Sequence, residues 1–359
     1  MCRIRRCNGR TGRTTALAMA GKSGRMAAMA SLLQTPLFFE SVYKQYVWGG
    51  ERFAKRLGRV LPNGTYAEAW EISDHPDGIT PILTGPLAGL SLSEAIARAG
   101  TGLVGARAAS VGRFPLLVKL IDAAETLSVQ VHPDETSAAR FGGEAKSEMW
   151  VVLEATPDAH IYSGFRPGVG EAAVRRALAA GAVEEVLQRF PARPGMVFST
   201  PGGRVHAIGA GCLLLEIQQD SNTTYRLDDW GRTDAAGRPR PLHVEEALRV
   251  VDWSATGSPV AVPEKLDNLP EGLSGRRLLS DAHYVVDEYA VSSPCWVRNP
   301  SGGFLVLFSS SGGVRIRPEG EPAMLIPPSR ACLIPAAMRR FRLSPDGDGP
   351  GRLFLAREP

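Results

Sequence analysis

From about residue 36 onward the chain breaks into short apolar or alternating runs, each closed by glycine or proline. "TPILTG", "FPLLVKLI", "TLSVQVHP", "EMWVVLE", "AHIYSGF", "GMVFSTPGG" and "GCLLLEIQQ" follow one another closely. Many short strands at such spacing predict a β-sandwich or barrel. Helical patterns are fewer. "SLSEAIARAG" offers Ser91 or Ser93 as a cap before the apolar spacing of Leu92 and Ile96. "GEAAVRRALAAGAVEEVLQRF", interrupted by Gly181, reads as two short helices laid outside the sheets, and "HVEEALRVVDW" as another helix.

The formal charge of +4 comes from 41 basic and 37 acidic residues, but it is unevenly placed. Residues 1–35 hold seven cations (Arg3, Arg5, Arg6, Arg10, Arg13, Lys22, Arg25) and no acid. Taking these seven away leaves 34 cations against 37 carboxylates, so the remainder is mildly acidic. That removes the case for a nucleic-acid surface on the folded part. The tail reads as a disordered extension or as translation assigned from too early a start, with Met19, Met26 and Met29 as later starts. An organellar transit peptide is the third reading, since the tail is rich in Arg, Ser and Thr. No run of eighteen apolar residues predicts a membrane span. Five scattered cysteines (Cys2, Cys7, Cys212, Cys295, Cys332) form no CxxC pair, which fits a reducing cytoplasm better than a disulfide framework.

The domain boundaries expected from these patterns are a basic tail over 1–35 and a main β-domain over 36–253, with a helical insertion at about 168–192. The Pro-, Gly- and Ser-rich stretch 254–280 reads as a linker, and 281–359 as a smaller β-domain.

Within "TLSVQVHPDE", Gln130 and His132 are two apart, so in a strand they project from one face. Glu148 opens the next strand in "KSEMWVV". His206 follows a Pro-Gly-Gly turn that bends the chain back. Two histidines, a carboxylate and a neutral amide oxygen make a mixed N/O donor set for Zn²⁺, with Mn²⁺ or Fe²⁺ as alternatives. His75, His160, His243 and His283 have no such company and read as ordinary hydrogen-bonded histidines.

Gly195, Pro201, Gly203 and His206 spell G-x5-P-x-G-x2-H, which resembles the second motif of the cupin superfamily. The usual first cupin motif is absent, because Gln130, His132 and Glu148 are spread farther along. That variant resembles the type I mannose-6-phosphate isomerases in their short bacterial form. The likeness extends to "YVWGG" at 46–50, "EAWEISDHP" at 68–76, "FPLLVKLIDAAETLSVQVHPDE", "KSEMWVVLE", "VHAIGAGCLLLEIQQ", "TTYRLDDWGR" and "LHVEEAL". It implies a mainly β fold: a metal-binding cupin domain (a double-sheet jelly-roll barrel) with a helical insertion, and a second, smaller cupin-like domain without metal ligands. It also implies one Zn²⁺ per chain held by Gln130, His132, Glu148 and His206, and a small sugar phosphate as partner, with neither nucleic acid nor membrane.

Interconverting an aldose phosphate and a ketose phosphate requires a Lewis acid, a base for the carbon proton and cations for the phosphate. Lys119, Lys146 and Arg226 match the family's active-site cations. Arg226 carries a fixed charge and forked donors. For the base the sequence leaves Glu216 and Lys146 open: Glu216 follows three leucines, where an apolar wall raises proton affinity. Two positions depart from the family pattern. Asn222 stands where an acid is usual, and Asp228-Asp229-Trp230 where the family reads YDW. Rival readings are an isomerase of another aldose, a non-catalytic sugar or sugar-phosphate binder on the same fold, and a cupin oxygenase using Fe²⁺.

Overall fold

The computed structural model describes residues 33–233, 236–299 and 301–359; most of the basic tail lies outside the described residues. Among the described residues, four antiparallel sheets make up the body. One has six strands in the spatial order Val42–Lys44, Glu68–Ile72, Leu116–Ala123, Cys212–Gln219, Glu148–Ala155 and Val197–Thr200. Facing it is a five-stranded sheet: Tyr225–Asp228, Val129–Val131, His206–Ile208, His160–Phe165 and Leu187–Pro191.

The central strands of the six-stranded sheet are covered on both faces, which explains why "LLVKLIDA" is buried at all eight positions and shows no polar alternation. Leu116, Val118 and Leu120 share one apolar core with Leu213, Leu215, Ile217, Met149 and Val151 from neighbouring strands. The same core includes Val286, Val306, Phe308, Leu333 and Phe354, so this face packs on a second, seven-stranded sheet. The alternate residues, among them Ile121, Ala123, Leu214, Trp150 and Val152, face the five-stranded sheet. Period-two alternation therefore points Glu68, Lys119, Glu148 and Glu216 into the first barrel. The outer face of the five-stranded sheet is covered by helices Glu171–Ala179 and Val244–Val250 through Val174, Ala247 and Leu248.

The seven-stranded sheet runs Leu37–Phe38, Arg330–Ile334, Leu305–Ser311, Gly351–Arg357, Val285–Val291, Leu273–Ser280 and Glu264–Lys265. A four-stranded sheet (Cys295–Arg298, Arg340–Pro345, Val314–Pro318, Met324–Ile326) closes its far side over a separate apolar core. The stretch 254–280, read as a linker, supplies two of these strands. Its Gly275 is a strand residue at a close approach, where a Cβ would come within 2.7 Å of the Glu288 carbonyl oxygen. Leu37 and Phe38 pair with Leu333 and Cys332, so the first described strand belongs to the later sheet.

The segment expected as two helices holds one, Glu171–Ala179. A 3-10 turn at Val183–Val186 follows Gly181 (φ +65°), and Leu187–Pro191 becomes an edge strand. Leu92–Ala99 is helical with Ser91 as its cap, in a reciprocal capping box with Glu94. Among the described residues no helix is long and apolar enough to cross a membrane.

The junction between the two double sheets is sealed by Phe114 against Phe304, ring centroids 4.6 Å apart and both wholly buried. Arg59 also crosses it, pairing with Glu71 at 3.0 Å and donating to the Ser329 carbonyl. Phe304→Ala leaves a cavity in this seam and is expected to cost about 3–5 kcal/mol in denaturant unfolding. A loss below ~1 kcal/mol would mean that the ring pair does not hold the junction.

Candidate metal centre and the cavity above it

Two rows of cross-strand neighbours face each other inside the first barrel. On the six-stranded sheet, Glu216 is in register with Lys119 on one side and Trp150 on the other, and Lys119 in turn with Trp70. On the five-stranded sheet, Gln130 is in register with His206 on one side and Arg226 on the other. Residues separated by up to 97 positions in sequence thus converge because antiparallel register sets them side by side.

His206 reaches its place through the Pro201-Gly202-Gly203 turn. Gly203 has φ +85° and its N–H donates to the His132 carbonyl at 2.7 Å. A Cβ on Gly202 would meet the backbone of Asp134 at 2.7 Å, so glycine is what lets the turn lie against the His132 strand.

His132, Glu148 and His206 are all buried, and their candidate ligand atoms lie within 4.8 Å of one another. His132 Nδ1 donates to the Thr223 carbonyl at 2.8 Å, and His206 Nδ1 to the Arg204 carbonyl at 2.9 Å. Each bond fixes the tautomer that leaves an Nε2 lone pair facing inward. These Nε2 atoms stand 3.5 Å and 3.1 Å from the Glu148 carboxylate. Neither Glu148 oxygen accepts a hydrogen bond, although Lys146 Nζ lies 2.9 Å from Oε2. Lys146 Nζ also donates to His132 Nε2 at 3.2 Å; beyond that one ammonium, the two imidazole lone pairs and the carboxylate repel one another unless a further cation sits between them, and the donor types and spacing suit a divalent ion. Gln130 adjoins the set, with Nε2 3.3 Å from His206 Nε2 while Oε1 accepts from Ser128. For Gln130 to ligate through oxygen, the amide must turn over.

Burial, reinforced by Lys146, pushes His132 down to about 3, which keeps the imidazole neutral. Burial would raise Glu148, but Lys146 and the two histidines hold it well below the usual carboxylate range. Glu216 goes the other way: burial and the Glu148 charge raise it against the pull of Lys119 and Lys146. Its Oε2 accepts from Trp150 at 2.9 Å, and its Oε1 stands 3.1 Å from Lys119. Lys119 also pairs with Glu68 at 3.2 Å. Burial opposes its charge, yet Glu216 and Glu68 keep its proton bound more tightly than usual.

All eight residues singled out from sequence are therefore brought to one place. Lys146 arrives differently from the expectation: the strand starts at Glu148, and Lys146 is carried by the preceding loop, pinned through its N–H to the Pro133 carbonyl at 2.9 Å. Lys119 stands between two carboxylates. Above the floor opens a cavity of about 270 Å³ whose lining includes Tyr46, Trp48, Glu68, Asn222, Arg226 and Arg240. Sequence reasoning missed Glu68 and Arg240. Glu68 carried a usable signal, because "EAWEI" sets it two residues from Trp70 on a single strand face. Arg240 carried none. Of the two departures, Asn222 donates to Asp77 at 2.7 Å, and Asp228, where the family pattern has tyrosine, accepts from the Trp230 N–H at 2.6 Å; Asp229, which matches that pattern, holds Arg232 and Arg240.

Residues 37–160 match the family described as phosphomannose isomerase type I, catalytic domain. The chain is 39% identical over 259 residues to a mannose-6-phosphate isomerase of Streptococcus mutans, covering 72% of this chain and 79% of that one. The crystal structure of the mannose 6-phosphate isomerase from Bacillus subtilis superposes with a TM-score of 0.80 at 26% identity, over 90% of this chain and 99% of that one. A zinc-bound mannose 6-phosphate isomerase shares the fold with a TM-score of 0.70 at 17% identity, over 90% and 99% of the two chains.

Lys119→Met removes the ammonium between Glu68 and Glu216 and is expected to destabilise the protein by about 3 kcal/mol at pH 7. Loss of that cation lifts Glu216 further above its ordinary range, so the cost is present above the raised value and shrinks as pH falls through it. Chemical denaturation at pH 7 and pH 5 measures both. A cost below ~0.5 kcal/mol, unchanged between the two, would place Lys119 among solvated charges.

Proposed function

Because the chain belongs to the type I phosphomannose isomerase family, we propose that its enzymatic activity is the interconversion of mannose 6-phosphate and fructose 6-phosphate through a cis-enediol. The observation that carries the reading is the buried His132–Glu148–His206 cluster, with unbonded carboxylate oxygens and inward Nε2 atoms, at the floor of a cation-lined cavity. We assign one Zn²⁺ per chain to these three residues, with Gln130 as a fourth ligand once its amide turns. When bound, the ion supplies a Lewis acid for the negative charge that develops on the sugar's oxygens.

The remaining chemistry belongs to the chain. A base must take the proton from C2 and return it to C1. Glu148 is turned toward the two imidazoles, and Glu68 is tied to Trp70 and Lys119. Glu216 is likewise bonded to an indole and to Lys119, but it stands deeper, beside Lys146 and Glu148, and its raised proton affinity suits a group that must both accept and release a proton. Lys146, 3.9 Å from Glu216 and beside Glu148, is placed to donate to a sugar oxygen while Glu216 works at carbon. Lys119 holds Glu216 in position by its ion pair and adds positive charge near the substrate. Arg226 anchors the substrate from the opposite sheet, next to Gln130.

Protein stripped by a chelator is expected to lose turnover of mannose 6-phosphate and to regain it with zinc. Glu216→Gln should lower kcat by about 10²–10⁴-fold with a smaller change in KM. Folded, zinc-replete protein that forms no fructose 6-phosphate in a coupled assay would sink the assignment.

A further inference from the structure

The second barrel, between the seven-stranded and four-stranded sheets, also turns charged side chains inward at one end. Arg277 is in register with Asp287 on the neighbouring strand, and Asp287 with Leu355 on the next. Tyr289 and Arg357 lie two residues along from Asp287 and Leu355, so all five share one face of the pleat. Leu355 belongs to the apolar core of this barrel and Tyr289 packs against it, which makes that face the inner one. Asp287 is 3% exposed there. Arg277 clamps it from Nε at 2.9 Å and from Nη2 at 3.3 Å, and Tyr289 Oη donates to it at 3.4 Å. A buried ion pair adds little stability over apolar residues of similar size, so an apolar plug would have served the fold as well.

That end is open. Cys295–Arg298 is an edge strand of the four-stranded sheet, and Glu264–Lys265 an edge strand of the seven-stranded one. A cavity of about 460 Å³ is lined by Trp296, Val297 and Arg298 of the first edge and by Leu266 and Leu269 just beyond the second. Its size is that of a small-molecule site, and Leu273 and Leu355 extend its aliphatic wall. Trp296 is left 38% exposed, with the Arg340 guanidinium stacked over its ring at 4.3 Å. Arg298 and Arg357 also line the cavity, and neither has a carboxylate partner among the described residues. Arg357 donates from Nη1 to the Glu358 carbonyl at 3.0 Å, while the Glu358 carboxylate lies 3.7 Å from Arg107. Asp267 is exposed and lies 3.6 Å from Lys265, and exposed Glu264, in register with Arg277, stands outside the lining. Guanidinium groups without carboxylates, beside an indole and an aliphatic wall, suit an oxyanion carried on a flat apolar ring.

We propose that this cavity is a second ligand site, for a small carboxylate or phosphate monoester borne on a flat apolar ring. Arg298 and Arg357 meet the oxyanion, and Trp296 with the leucines takes the ring. The clamp of Arg277 on Asp287 holds the charged end of the wall in place. A sugar phosphate fits less well, because its hydroxyl groups would lie against leucine without partners. The site is built wholly from residues 266–357, none of which lines the first cavity, so it stands whether or not the isomerase reading does.

The test is calorimetric titration of the full chain, with zinc and sorbitol 6-phosphate present, by 1-naphthoate and by 1-naphthyl phosphate. Saturable binding of at least one probe is expected, and the tighter of the two names the oxyanion. Arg298→Gln should weaken that binding roughly 10-fold or more, because a charge-assisted bond is lost. Trp296→Ala should weaken it about 2- to 10-fold through the lost ring contact. 1-Naphthalenemethanol, the same ring without charge, should bind at least ~10-fold more weakly than the better anion. If Trp296→Ala does not fold, Arg298→Gln, at an exposed position, decides. Neither probe saturating below about 5 mM would overturn the site. So would unchanged affinity in the folded variants, or a neutral alcohol that binds as tightly as the anions.

Discussion

A carboxylate buried with both oxygens free of hydrogen bonds is the constraint around which the first barrel is organised. Glu148 is 1% exposed, and two imidazoles turn their lone pairs toward it. Such a cluster is costly unless positive charge compensates it. Lys146 supplies part of that charge from within the chain, and a divalent ion supplies the rest in the proposed holoenzyme. Backbone carbonyls of Thr223 and Arg204 orient the two rings, so the ligand geometry is set by main-chain positions on neighbouring segments.

The scaffold makes that cluster possible by covering the six-stranded sheet on both sides. One face is committed to the apolar seam with the seven-stranded sheet, where Leu116, Val118 and Leu120 meet side chains such as Val306 and Phe308. The other face is then free to carry polar groups into an enclosed barrel. Lys119, Glu216 and Glu148 alternate with those apolar residues on the same strands, so seam and site are two sides of one pleat. The stability of the floor is tied in this way to a sheet that contributes no ligand.

Polarity along the cavity follows from which sheet supplies which group. The six-stranded sheet brings the carboxylates, and the rim is built by the strand carrying Arg226 with the segment around Arg240 and Pro241.

Much of this was legible in the sequence. Short runs punctuated by Gly and Pro foretold sheets, and strand periodicity alone put Gln130 and His132 on one face. The glycines before His206 announced the sharp turn that the close approach of Gly202 to Asp134 demands. Resemblance to a family supplied the rest of the ligand set. Local pattern failed where a residue's meaning depends on what lies across from it. Gly275 looked like linker composition, yet it is a strand residue beneath the Glu288 carbonyl. Lys119 was legible as a cavity cation, but not its cross-strand partner Glu216, which only register reveals. Glu68 and Arg240 drew no notice because their partners, Lys119 and Asp229, are 51 and 11 residues away. The sequence by itself determined periodicity, turn chemistry and the types of donor available. Only the tertiary structure decided which charges neutralise one another and which remain free, because Coulombic and hydrogen-bond partners are chosen by distance in space.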